Sequence, residues 1–190
     1  MSAAFPAVPE PTARYESYSH EALAAQTEQG NDPASAGAAG ARWSELSRRL
    51  RDSTAELASL VAGSQESWRG ETGDAVRAVL GRAAGWLVDS AAVAGVVGES
   101  VAGQAEVAAR ARADMPPPVE LDPAGMIRSA AASGNVLALA GLSAVLDARR
   151  AEAEAARQKA IDVLHTRDAA LHALVPGVAF PAVPALGQPA

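Results

Sequence analysis

From Asp74 to Ala113 the chain keeps one pattern without a break. Val76, Leu80, Ala83, Leu87, Ser90, Ala94, Val97, Val101, Gln104 and Ala108 follow one another at alternating spacings of four and three. A second stripe, Val79, Trp86, Val93, Ser100 and Val107, repeats every seven residues. An α-helix brings both sets to one side. Residues 74–113 then span about 60 Å at about 1.5 Å per residue. Two adjacent stripes make a face wider than one antiparallel neighbour covers, so further helices from this chain or another must pack there. Gly81, Gly85, Gly95, Gly98 and Gly103 each cost helix propensity, and close helix–helix approach is their expected compensation.

The preceding segment carries a seam of its own. Trp43, Leu46, Leu50, Ser53, Leu57 and Leu60 are spaced 3, 4, 3, 4, 3 and predict a helix ending near Gly63-Ser64. Trp68-Arg69-Gly70 follows as the turn. Met115-Pro116-Pro117-Pro118 stops the long helix, because prolines donate no backbone hydrogen bond. Asp122-Pro123 supplies an N-cap and a first helical residue for a short helix that meets Ser133-Gly134-Asn135. The uniformly apolar stretch Val136–Leu142 is expected at the tip of a hairpin, and a last helix from about Ser143 to Leu174. Upstream, residues 14–28 suit a short helix, and Gly30-Asn31-Asp32-Pro33 a turn. The expected fold is all-α: an elongated bundle of long antiparallel helices, one hairpin with a Trp-x-Gly turn and a second with an apolar tip. Residues 1–13 form an extended Pro/Ala-rich arm, 14–175 the helical domain, and 176–190 a Pro/Ala-rich tail expected to be disordered.

Composition narrows the function. Alanine supplies 48 of 190 residues and aromatics 4%, which favours close-packed helices over a β-sandwich. Cysteine is absent, so disulfides, thiolate zinc sites and thiol catalysis are excluded. The net charge of −6 contains no basic cluster, which argues against nucleic acid as a partner. Almost every base is arginine, a bias that with the alanine suggests GC-rich, actinobacterial coding. The N-terminal residues show neither a basic region nor an apolar core of a secretory signal. The apolar run Ala91–Val97, broken by Gly95, falls short of the ~20 residues of a span, so no stable membrane span is expected.

No catalytic constellation stands out. Gly-x-Ser-x-Gly, Gly-x-Gly-x-x-Gly and Walker patterns are missing, so no enzyme activity and no cofactor are expected. Asp162, His165, Asp168 and His172 share one helix at spacings of 3, 3 and 4. A solvated face near a helix C-terminus, where histidine suits the dipole, is favoured over a metal site. Arg149-Arg150 beside Glu152 and Glu154 reads as a salt-bridged face. One oddity remains. Phe5-Pro6-Ala7-Val8-Pro9 recurs as Phe180-Pro181-Ala182-Val183-Pro184, either by coincidence in an Ala/Val/Pro-rich chain or as two copies of one extended docking segment.

Taken in order, these motifs resemble the PPE family, whose members are secreted by type VII (ESX) systems of mycobacteria and related actinobacteria. The elements are Phe5-x-Ala7-x-Pro9-Glu10, Ala13-Arg14-Tyr15, the helix with Trp43 and Leu46, Trp68-Arg69-Gly70, Gly85-Trp86-Leu87, Met115-Pro116-Pro117-Pro118-Val119, and Asn135 with the apolar residues after it. The namesake Pro-Pro-Glu is here Val8-Pro9-Glu10. The resemblance covers about residues 5–175.

The resemblance implies a non-enzymatic secretion substrate. It would pair through helical seams with a PE-type or WxG-type helical hairpin, leave the cytoplasm folded, and end secreted or at the cell surface. It assigns Trp68 and Gly70 to the export-signal turn. It places Leu80, Leu87, Ala94, Val97 and Val101 on the partner seam, and Val136, Leu137, Leu139 and Leu142 against an EspG-type chaperone. The Tyr-x-x-x-Asp/Glu export element is absent after Tyr15 and Tyr18, where Ser19 and Ala22 stand; either the partner supplies it or the chain has drifted from export. The alternative is a homo-oligomeric helical scaffold or a membrane-active bundle.

Overall fold

A computed structural model of the chain describes residues 11–185 apart from Glu66 and Asn135. The expectations for residues 1–10, for Asn135 and for 186–190 lie outside the described residues. Among the described residues all regular structure is helical. A 3-10 turn, Tyr15–Ser17, precedes α1 (His20–Glu28), α2 (Pro33–Gly63), α3 (Glu71–Asp114), α4 (Pro123–Ala132) and α5 (Val136–Ala173). The expected ends of α1, α2 and α3 and the start of α4 hold within a few residues, but α1 begins at His20 rather than at residue 14, α2 begins at Pro33, ten residues before Trp43, and the apolar stretch Val136–Leu142 is itself the first two turns of α5.

The chain divides into two compact units. One consists of Pro33–Glu106 and the segment from Leu174 onward. Here α2 and α3 run antiparallel: Gly37 lies opposite Ala105, Gly40 opposite Gly98 and Ala102, and the Ser47 hydroxyl donates to the Ala91 carbonyl at 2.7 Å. A Cβ on Gly40 would lie 2.9 Å from the Gly98 carbonyl oxygen, and one on Gly98 would lie 2.9 Å from the Ser44 backbone nitrogen. Glycine is therefore required on both sides of this crossing.

The seam is not the one that the large apolar side chains mark. Among the α2 residues that meet α3 are Gly37, Gly40, Ser44, Ser47 and Arg51. Relative to Trp43 and Leu46 this is a turn of about 100° around the helix. Leu46, Ser53 and Leu60 face solvent, while Leu50 and Leu57 are half-buried. The reason is steric: the smallest side chains allow the closest backbone approach. Outside the seam, Glu45 accepts from Arg48 and Arg49, and these two bonds lower its carboxyl to about 2.

The second unit contains Glu10–Asp32 together with Val107–Ala173. Its core is Tyr15, Leu23, Ala160, Ile161 and Leu164, with Met115 packed against it. Burying Leu23, Ile161 and Leu164 is worth about 1.5–3 kcal/mol each. The 3-10 turn, α1 and α4 all pack on α5. Ser19 caps α1, accepting from the Ala22 backbone N–H. Asp122 caps α4, accepting from the Gly125 N–H at 2.9 Å, with Pro123 leading the helix.

Candidate functional site

The turn between α2 and α3 is built from its backbone outward. The Trp68 N–H donates to the Ser64 carbonyl at 2.9 Å and the Asp74 N–H to the Gly70 carbonyl at 3.0 Å. Gly70 has φ +86°, a conformation that residues with a Cβ rarely adopt. Gly73 sits against the Trp68 carbonyl, where a Cβ would clash with the oxygen. The Arg77 guanidinium donates to the same carbonyl at 2.6 Å and also pairs with Asp74. The Trp68 backbone is thus tied at both its N–H and its carbonyl, while the residue is 47% exposed. A large apolar side chain left open on a backbone fixed in this way suits recognition by another surface. Trp68 and Gly70 were legible as a pair. The roles of Gly73 and Arg77 were not, although Trp-x-Gly-x-x-Gly was present to be read.

The flanks of the same hairpin carry Leu46, Leu60, Val76, Val88 and Val96, all exposed. Leu46 and Leu60 stand two heptads apart on one face of α2. The positions named for a partner seam divide. Ala94 is wholly enclosed, so it packs this chain's own hairpin and is unavailable to a partner. That corrects the expectation: a period of 3.6 does not tell an internal seam from an external one. Leu80, Leu87, Val97 and Val101 are half-buried. By length and composition α3 is apolar enough to cross a membrane. An 18-residue window has mean hydropathy 1.2, and 17% of that window is buried. Core helices of globular proteins pass the same test.

In the second unit, the start of α5 carries Val136 at 77% and Leu137 at 84% exposure, with Leu139 exposed and Leu142 half-buried. Ile127 on α4 and Val145 on α5 extend this apolar surface.

His165 and Asp168 of α5 have a structural role. The Tyr15 hydroxyl donates to Asp168 Oδ2. Arg167 donates to Asp168 Oδ1 at 2.7 Å, to the Tyr15 oxygen at 3.0 Å and to the Gln26 carbonyl at 3.3 Å. Arg157 holds the Glu16 and Tyr18 carbonyls. His165 meets Glu16 at 3.4 Å and the Tyr15 ring edge-on at 5.1 Å. Burial, and then the bond to Asp168, pushes the Tyr15 phenol up to about 12. The Glu16 carboxyl is held below its ordinary range by its own backbone N–H and by His165. Together these residues clamp the segment before α1 onto α5.

The segment after α5 is bound too. The sequence predicts disorder from residue 176, yet 176–185 lie extended against the hairpin. Ser100 Oγ donates to the Leu174 carbonyl, Trp86 Nε1–H donates to the Pro181 carbonyl at 3.1 Å, and Phe180 stacks on Trp43 at 5.8 Å. Trp43 and Trp86 hold this segment.

Comparison with known proteins agrees with the order of motifs. The model of the family described as PPE family matches residues 14–176. No curated protein matches the chain.

Proposed function

The chain belongs to the PPE family, and from that premise we propose that it is a type VII secretion substrate that pairs with a PE-type or WxG-type helical hairpin. The family is non-catalytic, secretion-associated and typically pairs with PE proteins. The observation that carries the reading is the exposed apolar surface of the α2–α3 hairpin: Leu46, Leu60, Val76, Val88 and Val96, with 17% of the most apolar window of α3 buried. Apolar area left in water by one chain is the surface that association covers.

Three further roles follow on this reading. Trp68, fixed on its tied turn, is the recognised element of the export signal, and Gly70 gives the turn its shape. Leu80, Leu87, Val97 and Val101 flank the partner seam, from which Ala94 is removed. Val136, Leu137, Leu139 and Leu142 form the surface that an EspG-type chaperone covers in the cytoplasm before the pair is exported.

Co-expression with a PE-type or WxG-type hairpin encoded beside this chain tests the pairing. A one-to-one complex by light scattering is expected; a chain that stays monodisperse and folded alone beside that hairpin contradicts it. Trp68→Ala, assayed for export against a folded control, tests the turn: unchanged export removes its role. A second reading, a homo-oligomeric or membrane-active bundle, is favoured by the composition of α3. A concentration-independent multimer of identical chains, or leakage from liposomes, would select it.

A further inference from the structure

The two flanks of α2 differ by one residue of register. Ser44, Ser47 and Arg51 meet α3. The residues just before them, Trp43, Leu46 and Leu50, turn about 100° one way, and those just after, Glu45, Arg48 and Asp52, about 100° the other. The first flank is apolar. The second is charged and paired within the helix, Arg48 with Glu45 at 2.7 Å and with Asp52 at 2.8 Å. A helical partner gains by burying the first flank and loses by desolvating the paired charges of the second.

The segment after α5 lies on that first flank. Phe180 stacks on Trp43, the Trp86 indole N–H donates to the Pro181 carbonyl, and Ser100 Oγ donates to the Leu174 carbonyl. The Leu174 side chain lies over Gly103, where a Cβ would come to 3.2 Å from it. A helix packed here would have its axis about 8–10 Å from that of α2 or α3, and the segment fills this layer. Its hold is light, since Phe180 remains 46% exposed and Val183 75%. It covers the flank only in part, because Leu46 and Leu60 stay exposed. The apolar flank thus carries a weakly held ligand of the chain's own.

We propose that residues 174–185 are an autoinhibitory strap, which the helical hairpin partner displaces from Trp43 and Trp86 when it pairs. The inference rests on the pairing proposed above and adds its regulation. Strap and partner exclude each other on one flank, so only the fraction of chains with the strap released is competent to pair, and the apparent affinity falls by that fraction. Every contact that seats the strap therefore weakens pairing. Phe180, whose ring meets Trp43 and no part of the α2–α3 seam, sets this fraction without belonging to the partner surface.

The test uses the full chain, with circular dichroism as the control for folding. The sequence has no cysteine, so Val183→Cys takes a single nitroxide. Its broadening of the Trp43 and Trp86 indole N–H signals reports the seated strap by NMR. Broadening is expected in the free chain and should vanish in the complex with the PE-type or WxG-type hairpin encoded beside it. Separately, the unaltered chain and Phe180→Ala are co-expressed with a limiting amount of that hairpin, and the complex is weighed by mass spectrometry. Phe180→Ala should be enriched about fivefold, the order of one lost aromatic contact, and Phe180→Tyr, which keeps the ring, should compete evenly with the unaltered chain. A complex that retains the broadening would overturn the proposal, as would a free chain that never shows it. Phe180→Ala that is not enriched, or is depleted, would overturn it as well, because the strap would then be neutral or part of the interface. No complex with any form of the chain would overturn the pairing itself, and the strap's role with it.

Discussion

The two units close their helices by opposite means from one alanine-rich composition. In the α2–α3 hairpin the contact consists of Gly40, Ser47, Ala91, Ala94 and Gly98, and backbones meet almost directly. In the α1–α5 unit the core is Tyr15, Leu23, Ile161 and Leu164, ringed by Arg157, Arg167 and Asp168. The first solution needs no large side chain at the seam, so its large apolar residues are left on the outside. The second uses its large residues internally and locks them with charged groups. A small-residue seam thus leaves a hairpin with exposed leucines and valines, which is what a chain that pairs with another requires.

The sharpest way to break the first arrangement is Gly40→Val. The added side chain meets the Gly98 carbonyl and Ala102 backbone, so the helices must separate. A loss of about 3 kcal/mol is expected, at the upper end for overpacking, read from the urea midpoint. Gly81→Ala, where a Cβ meets open space, should instead stabilise by about 0.5–1 kcal/mol.

In the second unit, Tyr15→Phe removes hydrogen bonds to Asp168 and Arg167. A loss of about 1.5–3 kcal/mol is expected for bonds to charged partners. The phenol also makes this unit alkali-sensitive. Its folded value is raised from 10.0 to about 12, so between these values the folded chain keeps a proton that the unfolded chain releases. Stability from this group is complete below pH 10 and falls as the pH rises toward 12. Tyr15→Phe should remove that part of the decline in a pH series of melting curves.

A smaller effect than that of Tyr15 is expected at Ser90. Its hydroxyl is buried with no hydrogen-bond partner. Ser90→Ala should stabilise the hairpin by about 1 kcal/mol, the lower part of the cost of an unsatisfied buried group. An unchanged or lower melting temperature would mean that the hydroxyl is satisfied in solution.

Much of the architecture was legible because it is local. The 4–3 spacing from Val76 to Ala108 gave α3, and Asp122-Pro123 gave the start of α4. The prolines after Met115 marked where α3 ends. What escaped was long-range. Periodicity finds large apolar residues, and the α2–α3 contact is made by small ones, so Leu46 and Leu60 look internal in sequence and are external in space. Tyr15 and Asp168 are 153 positions apart, and no local pattern links them. The ordered path of residues 176–185 was hidden for the same reason: prolines exclude helix and sheet but say nothing about two distant tryptophans. Of the candidate site, Trp68 and Gly70 could be named from the motif, whereas the exposed flank needed the fold.

The central claim is that this exposed flank is the partner surface. Leu46→Glu together with Leu60→Glu places charge on it without touching the seam, and surface changes of this kind should alter stability by no more than about 0.5 kcal/mol per site. Light scattering of the doubly substituted chain co-expressed with the proposed PE-type or WxG-type hairpin is predicted to show a folded chain and no one-to-one complex. A one-to-one complex of undiminished yield would contradict the account.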